Sequence, residues 1–255
     1  MTYNGEMYNY LELKNRISKK VKFRTNSDTE VILQYYKLYG EKCFEFFEGM
    51  WSIAIYDKNQ KKLIISRDRF GEKPLYYYQS KDGFYFASEI KFIKKLAYKK
   101  KFLINYKKIK DYLHFGHRAP YLDNKTFFEK IHKLDPGSYI KIDKNLKITK
   151  HRYWKISKAK EFKKNFKAIL KESHNIFDNT LKMQLRSDVP IALLLSGGID
   201  SSLLATKISK YYKKKLSTFS IYDSKDKTYD ERDNINIILR KLKIKKNVKI
   251  DFVNE

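Results

Sequence analysis

The run IALLLSGGIDSS, Ile191 to Ser202, narrows the folds open to this chain more than any other stretch. Five consecutive apolar residues predict a strand covered on both faces, as in parallel sheets sandwiched by helices. Two glycines then stop the strand, and a helix carrying Leu203, Leu204 and Ile208 follows. A second strand is predicted around Leu216 to Ile221, a helix from Ile235, Ile238, Leu239 and Leu242, and a third strand from Val248, Ile250 and Phe252. Strand, helix, strand, helix, strand is the pattern of a parallel α/β sheet with right-handed crossovers. Ahead of it, Phe162, Phe166, Leu170, Phe177, Leu181 and Leu185 keep helical spacing and predict one long helix over about 160–186.

The glycine turn sits where open parallel sheets collect ligands, beyond the C-terminal end of a strand and at a helix N-terminus. Gly197 and Gly198 allow positive φ and close backbone approach, so successive N–H groups can line an anion site rimmed by the hydroxyls of Ser196, Ser201 and Ser202. Asp200 beside bound phosphates would be repelled unless Mg²⁺ bridged them, which makes it the candidate metal ligand. The chain has neither the Gly-Lys-Ser/Thr of a P-loop nor GxGxxG, so both common phosphate motifs are excluded. A plain strand-to-helix turn is the alternative reading of two adjacent glycines.

The first 150 residues read differently. SIAIYD (Ser52 to Asp57), LIISRD (Leu63 to Asp68), PLYYY (Pro74 to Tyr78) and GFYFAS (Gly83 to Ser88) are short β-type runs separated by turn clusters such as DKNQKK and KDG. Spacing this tight predicts an antiparallel sheet built of hairpins, and GSYIKID with LKITKHRYW predicts a closing hairpin near Trp154. One helix is well marked: Ser27 with Glu30 three residues on reads as a capping box, Asp28 suits the first turn, and Gly40 suits the stop. Arg67, Asp68, Arg69 and Lys73 read as a structural or interdomain charge network.

Composition sets outer limits. With 255 residues, 42% of them hydrophobic, including 21 Tyr and 17 Phe, the chain can hold two modest cores. The single cysteine, Cys43, excludes an internal disulfide framework and a cysteine-rich zinc site, and its apolar surroundings read as core. The five histidines are scattered and suggest no metal site. No uncharged apolar stretch is long enough for a membrane span, and MTYNGEMYNYLELK lacks the basic-then-apolar pattern of a leader, so a cytoplasmic chain without membrane contact is expected. The net charge of +27 would suit nucleic acid, but it is carried by lysines spread in short runs, as a coding bias would give. Nucleic-acid binding is therefore not the expected role.

SGGIDSS resembles the SGGxDS pyrophosphate loop of the ATP pyrophosphatase superfamily, and its flanks are more specific still. RSDVPIALLLSGGIDSS (Arg186 to Ser202), then TFSI and YDERDNINIILRKL, look like the synthetase domain of glutamine-hydrolysing asparagine synthetases. YNGEMYNYLEL, NSDTEVIL, GMWSIAIYD, SRDRFGEKPLYYY and FASEIKFI resemble consecutive segments of that family's class II glutamine amidotransferase domain. The resemblance covers nearly the whole chain in order and spacing.

It implies a partial amidotransferase domain over 1–155, an antiparallel β fold of the N-terminal nucleophile hydrolase type. A partial parallel α/β nucleotide-binding domain, adenine nucleotide alpha hydrolase-like, is implied over 160–255. The implied reaction is ATP-dependent amidation of aspartate to asparagine through a β-aspartyl-adenylate, with ammonia released from glutamine. Glutamine, aspartate, ATP and Mg²⁺ are thus the expected ligands. By the same resemblance, Asn4 and the Gly5 N–H match the oxyanion hole, and Glu6 and Asp28 match residues holding the glutamine head. Ser196, Gly197, Gly198, Asp200, Ser201 and Ser202 match the pyrophosphate loop, and Leu194, Leu195 and the second strand end from Phe219 to Ile221 match positions against the nucleotide, with plain sheet core as the alternative reading of each. Without it, Asn4 and Gly5 read as a turn and Asp28 as a helix-dipole residue.

The pattern departs from the family at both ends. The N-terminal cysteine nucleophile, whose own α-amino group is the base, and the arginine expected for the glutamine carboxylate are not present, and Cys43 lies in the wrong segment to replace the former. The second glycine-rich nucleotide loop and the aspartate-binding groups are not present either. A fragment or split-gene product is expected, without glutaminase chemistry of its own and with a homodimer or complementing chain as possible partners. A relative that amidates another carboxylate, such as one on a surface sugar, would share every motif here. A basic nucleic-acid-binding module would explain the charge and leave SGGIDSS unexplained.

Overall fold

The computed structural model describes residues 1–157, 165–212, 216–223, 225 and 230–251. The chain divides into two compact units, Met1–Ala159 and Lys160–Glu255. The matching expectations at Phe162 and Phe252 lie outside the described residues. No helix among the described residues is long and apolar enough to cross a membrane.

The first unit is a mixed α/β structure built on antiparallel sheets. Its main sheet has the order β1-β2-β3-β7-β8, with β1 Thr2–Met7, β2 Gly49–Asp57, β3 Lys62–Arg67, β7 Ser138–Ile142 and β8 Ile148–Arg152. Alternation along β2 makes this sheet the middle layer. Trp51, Ile53 and Ile55 enter one core with Leu13 and Ile17 of α1 (Tyr10–Ile17) and Val31, Ile32 and Tyr35 of α2 (Asp28–Tyr39). Ala54 enters another core with Ile65, Leu75, Tyr77 and Ile140.

That second core corrects the expectation of a single sheet. The hairpin β4 (Tyr76–Ser80) and β5 (Gly83–Ala87) leaves the main sheet and pairs with β6 (Ile131–Lys133) in a separate three-stranded sheet of order β5-β4-β6. The apolar residues on the far face of β2, β3 and β7 need a cover, and Tyr77, Phe84 and Phe86 supply it. The chain reaches that position through the turn after Arg67. The unit is completed by α3 (Ile90–Leu96) and α4 (Tyr106–Phe115).

The predicted capping box on α2 is only half formed. Ser27 is the N-cap, with Oγ accepting from Thr29 N at 3.2 Å. Glu30 does not reach back to Ser27. Its carboxylate accepts from Arg24 N, Thr25 N and Thr25 Oγ1, which ties down the loop before the helix and lowers its pKa, with the Thr25 hydroxyl as the largest cause. Gly40 ends the helix at φ 57°, as predicted.

The second unit holds three parallel strands in the order β11-β10-β9: β9 Ala192–Leu194, β10 Ser217–Tyr222 and β11 Lys246–Asp251. The helices are α5 Phe166–Gln184, capped by Asn165, then α6 Ile199–Tyr211 and α7 Arg232–Lys241. Leu181 of α5 packs with Ile208 of α6 and Leu216, while Ala205 of α6 packs with Ile235 of α7 and Leu195. The strands are less covered than the sequence suggested. β9 is an edge strand in this unit, and Ala192 and Leu194 are exposed on it.

Candidate functional site

The first candidate site lies at the free edge of β1. Asn4 and Gly5 are strand residues there rather than a turn, paired with Ser52 and Trp51 of β2. Glycine is required at position 5 by proximity: a Cβ would stand 2.0 Å from the Met50 carbonyl oxygen and 2.7 Å from Trp51 Cα. Two residues on, Met7 N–H donates to Asp28 Oδ2 at 3.1 Å, away from β2, while Tyr8 N–H donates to the Glu48 carbonyl on the opposite side. Because edge-strand amides alternate in direction, the Gly5 N–H points off the same free edge as that of Met7.

Asp28 opens α2 beside this edge and is tied to β1 a second time by the Tyr3 hydroxyl, which donates to Oδ2 at 2.8 Å. The Tyr3 hydroxyl is pushed well above the usual tyrosine range by burial first, then by Asp28 and by Glu6. Asp28 is thus bonded to β1 through Tyr3 and Met7, while Glu6, two residues after Asn4, alternates with Tyr3 along the strand and is exposed. Asn4 Nδ2 donates to Ser88 Oγ at 3.2 Å, and a cleft of about 250 Å³ lined by Tyr3, Asn4, Ser52, Ala54, Phe86 and Ser88 opens next to it. Ser88 was not singled out from the sequence, although its place just after the strand GFYFA was visible there.

Arg67 and Asp68 form the structural network predicted for them. Asp68, fully buried, accepts from Phe70 N and Glu72 N through Oδ1 and from Trp51 N and Lys73 N through Oδ2, at 2.9–3.2 Å. Arg67 donates to the carbonyls of Lys73, Leu134 and Gly71. Glu72 is raised by burial and then by Asp68. Cys43 is completely buried, and burial with some contribution from Glu41 drives its thiol far above the normal range. The native protein is expected to leave a thiol-specific reagent unreacted and to consume one equivalent only after denaturation; rapid labelling of the folded chain would contradict this burial.

The second candidate site is the segment 195–202. Leu195 N donates to the Phe219 carbonyl at 2.8 Å, and Ser220 Oγ donates to the Leu195 carbonyl at 2.7 Å. Asn247 Nδ2 in turn donates to Ser220 Oγ at 3.0 Å, so one polar thread crosses all three strands below the loop. Gly197 takes φ +86°, and a Cβ there would press on Asn234 Cβ and the Glu231 carbonyl at 3.1 Å. Gly198 is the N-cap of α6 and makes no side-chain cap. The Ile199, Asp200 and Ser201 amides thus open the first helical turn without carbonyls four residues back. Ser196 Oγ stands 3.0 Å from Ser201 Oγ and accepts from Gly198 N at 3.3 Å. Asp200 is exposed in the first turn, and Ser202 N–H begins the helical ladder on the Gly198 carbonyl.

Leu195 and Ile221 part company. The Leu195 side chain is buried with Ala205 and Ile235, so it offers the loop only its backbone. The apolar surface beside the loop comes from Leu194, 73% exposed, and Ile221, 60% exposed. Among the described residues no group of three or more His, Cys, Asp or Glu is placed to hold a metal ion. A Mg²⁺ ion that takes most of its ligands from phosphates and water needs only one carboxylate, and Asp200 fits that donor set. Ser220 lies within the strand end Phe219 to Ile221 expected against the nucleotide, but it is buried and bonded to the Leu195 carbonyl; the alternation in TFSI that buries it was readable, and that bond was not.

Two family models match the chain in series: a glutamine amidotransferase domain over residues 1–154 and asparagine synthase over residues 172–254. A putative glutamine-hydrolysing asparagine synthetase 2 of Methanocaldococcus jannaschii is 37% identical over 246 residues, which is 94% of this chain and 45% of that protein. Glutamine-hydrolysing asparagine synthetase 1 of Bacillus subtilis is 35% identical over 86% of this chain and 34% of its own length. A protein named amidase chry2 from Gibberella zeae is 31% identical over 82% of this chain and 31% of its own. The chain spans less than half the length of these curated relatives. It belongs to the family in which a glutamine amidotransferase domain is followed by an asparagine synthase domain, the family of the glutamine-hydrolysing asparagine synthetases.

Proposed function

We propose that this chain serves ATP-dependent amidation of aspartate to asparagine, with glutamine as the source of ammonia. The observation that carries the proposal is the glycine loop at Ser196–Gly198, set between a parallel strand and the open N-terminus of α6, in a chain whose other unit is an amidotransferase domain. On this reading the second unit is a nucleotide-binding domain of the adenine nucleotide alpha hydrolase type. Amides at the start of α6 with the hydroxyls of Ser196, Ser201 and Ser202 hold the pyrophosphate portion of ATP. Asp200 holds Mg²⁺, which supplies charge neutralisation on the phosphate oxygens. Leu194 and Ile221 offer apolar surface to the nucleotide, whereas Leu195 fixes the root of the loop.

In the first unit, the Gly5 N–H and Asn4 Nδ2 donate to the oxygen of the glutamine amide as negative charge develops on it. Glu6 and Asp28 attract the α-ammonium group. Ser88 accepts one Asn4 N–H and leaves the other for the substrate.

Asp200→Ala is expected to weaken ATP binding in the presence of Mg²⁺ by about tenfold or more and to remove most of the difference between Mg²⁺ and EDTA. Calorimetric titration reads both effects. Unchanged affinity and unchanged Mg²⁺ dependence would sink the assignment of the loop. Aspartate-dependent exchange of pyrophosphate into ATP, run on the complete gene product, tests the reaction itself: exchange with another carboxylic acid but none with aspartate would move the substrate while keeping the chemistry.

A further inference from the structure

We propose that Tyr3 is a positioning residue for the glutamine subsite, holding the Asp28 carboxylate so that one oxygen is committed to the fold and the other is left for the α-ammonium group. The proposal rests on the reading of Asp28 given above. Asp28 Oδ2 accepts twice, from the Tyr3 hydroxyl at 2.8 Å and from Met7 N at 3.1 Å. Both donors belong to β1, while the carboxylate belongs to α2. Among the described residues, Oδ1 has the Ser27 and Thr29 hydroxyls, each at 3.5 Å.

Two short bonds on one oxygen remove the rotation that would otherwise exchange the two oxygens. The second oxygen then keeps one direction, and its two long hydroxyl contacts leave it room to accept from a cation. Tyr3 is suited to this because its hydroxyl stays protonated at any physiological pH, so it always donates. It also couples the helix to the strand that carries Gly5 and Glu6, and so sets the spacing between the ammonium-binding acids and the oxyanion donors. A phenylalanine would fill the same space, keep the Met7 bond and lose the second anchor.

The test compares the unmodified complete gene product with Tyr3→Phe and Asp28→Asn, measuring affinity by calorimetry for L-glutamine and for 4-carbamoylbutanoate, which is glutamine without its α-amino group. Thermal unfolding checks that each variant is folded. Tyr3→Phe is expected to weaken glutamine binding by about tenfold, the loss of one hydrogen bond to a charged group, and to leave the desamino analogue within twofold of its starting affinity. Equal losses for both ligands make Tyr3 merely structural and overturn the proposal, as does unchanged glutamine affinity in Tyr3→Phe. If Asp28→Asn binds glutamine normally, the reading of Asp28 falls first and takes the proposal with it; if Asp28→Asn is impaired and Tyr3→Phe is not, Tyr3 alone is wrong.

Discussion

Replacing Gly5 by alanine is expected to destabilise the first unit by about 3 kcal/mol, the upper end of penalties for overpacking. The added Cβ would lie 2.0 Å from the Met50 carbonyl oxygen, a backbone atom that cannot rotate aside. Relief requires β1 to separate from β2, and the matching contact at Gly49, where a Cβ would meet the Glu6 carbonyl at 2.1 Å, closes the same strand pair from the other side. Gly40→Ala differs in cause: at φ 57° and ψ −141° the backbone lies in a region open almost only to glycine, with nothing within 4 Å of an added Cβ, so its cost of about 1–3 kcal/mol is backbone strain alone. Urea unfolding checks the argument at position 5: an alanine variant with an unshifted midpoint would mean that proximity to β2 does not demand glycine there.

Asp68→Ala is expected to cost at least as much, about 4 kcal/mol, because four backbone N–H groups would lose their acceptor around a fully buried site. Arg67 would remain buried beside them without the nearby negative charge. Asp68→Asn keeps the shape and one accepting oxygen but turns an NH₂ group toward two donors, so an intermediate loss is expected. Unfolding midpoints in the order wild type, Asn, Ala check the argument, and an alanine variant as stable as wild type would defeat it. The effect should be read in stability first and in activity second, since Asp68 holds the Trp51 N–H and Trp51 is the β2 partner of Gly5. Its work is to turn the chain from β3 into the second sheet.

Much of this was legible because it was local. Alternation in SIAIYD, the glycines at 197 and 198 and the helix signals from Ser27 to Gly40 depend on neighbours in sequence, and each corresponds to an element described here. The second sheet was not legible, since nothing within PLYYY or GFYFAS says which face of which strand it must cover. Glu30 misled for a similar reason: the spacing fitted a capping box, but the Thr25 hydroxyl and two loop amides were better partners. In α4 local pattern is actively misleading, because Lys108 is buried against Asp123 and the Ala119 carbonyl while Tyr106 and Leu113 are exposed. At the candidate sites the residue types were readable, but their partners were not. Tyr3, Ser88 and Ser220 act through bonds to residues far away along the chain, and Leu195 turned inward because α6 and α7 meet over it.

The thread from Asn247 through Ser220 to Leu195 bears on how the loop at Ser196 comes to be formed. The glycines and the start of α6 leave the ribosome well before β11 does, yet the hydroxyl that holds the loop's root is itself held from β11. Until β11 is made and docked, the newborn loop lacks part of its mooring, so its final shape is acquired only after that strand has followed it out of the ribosome.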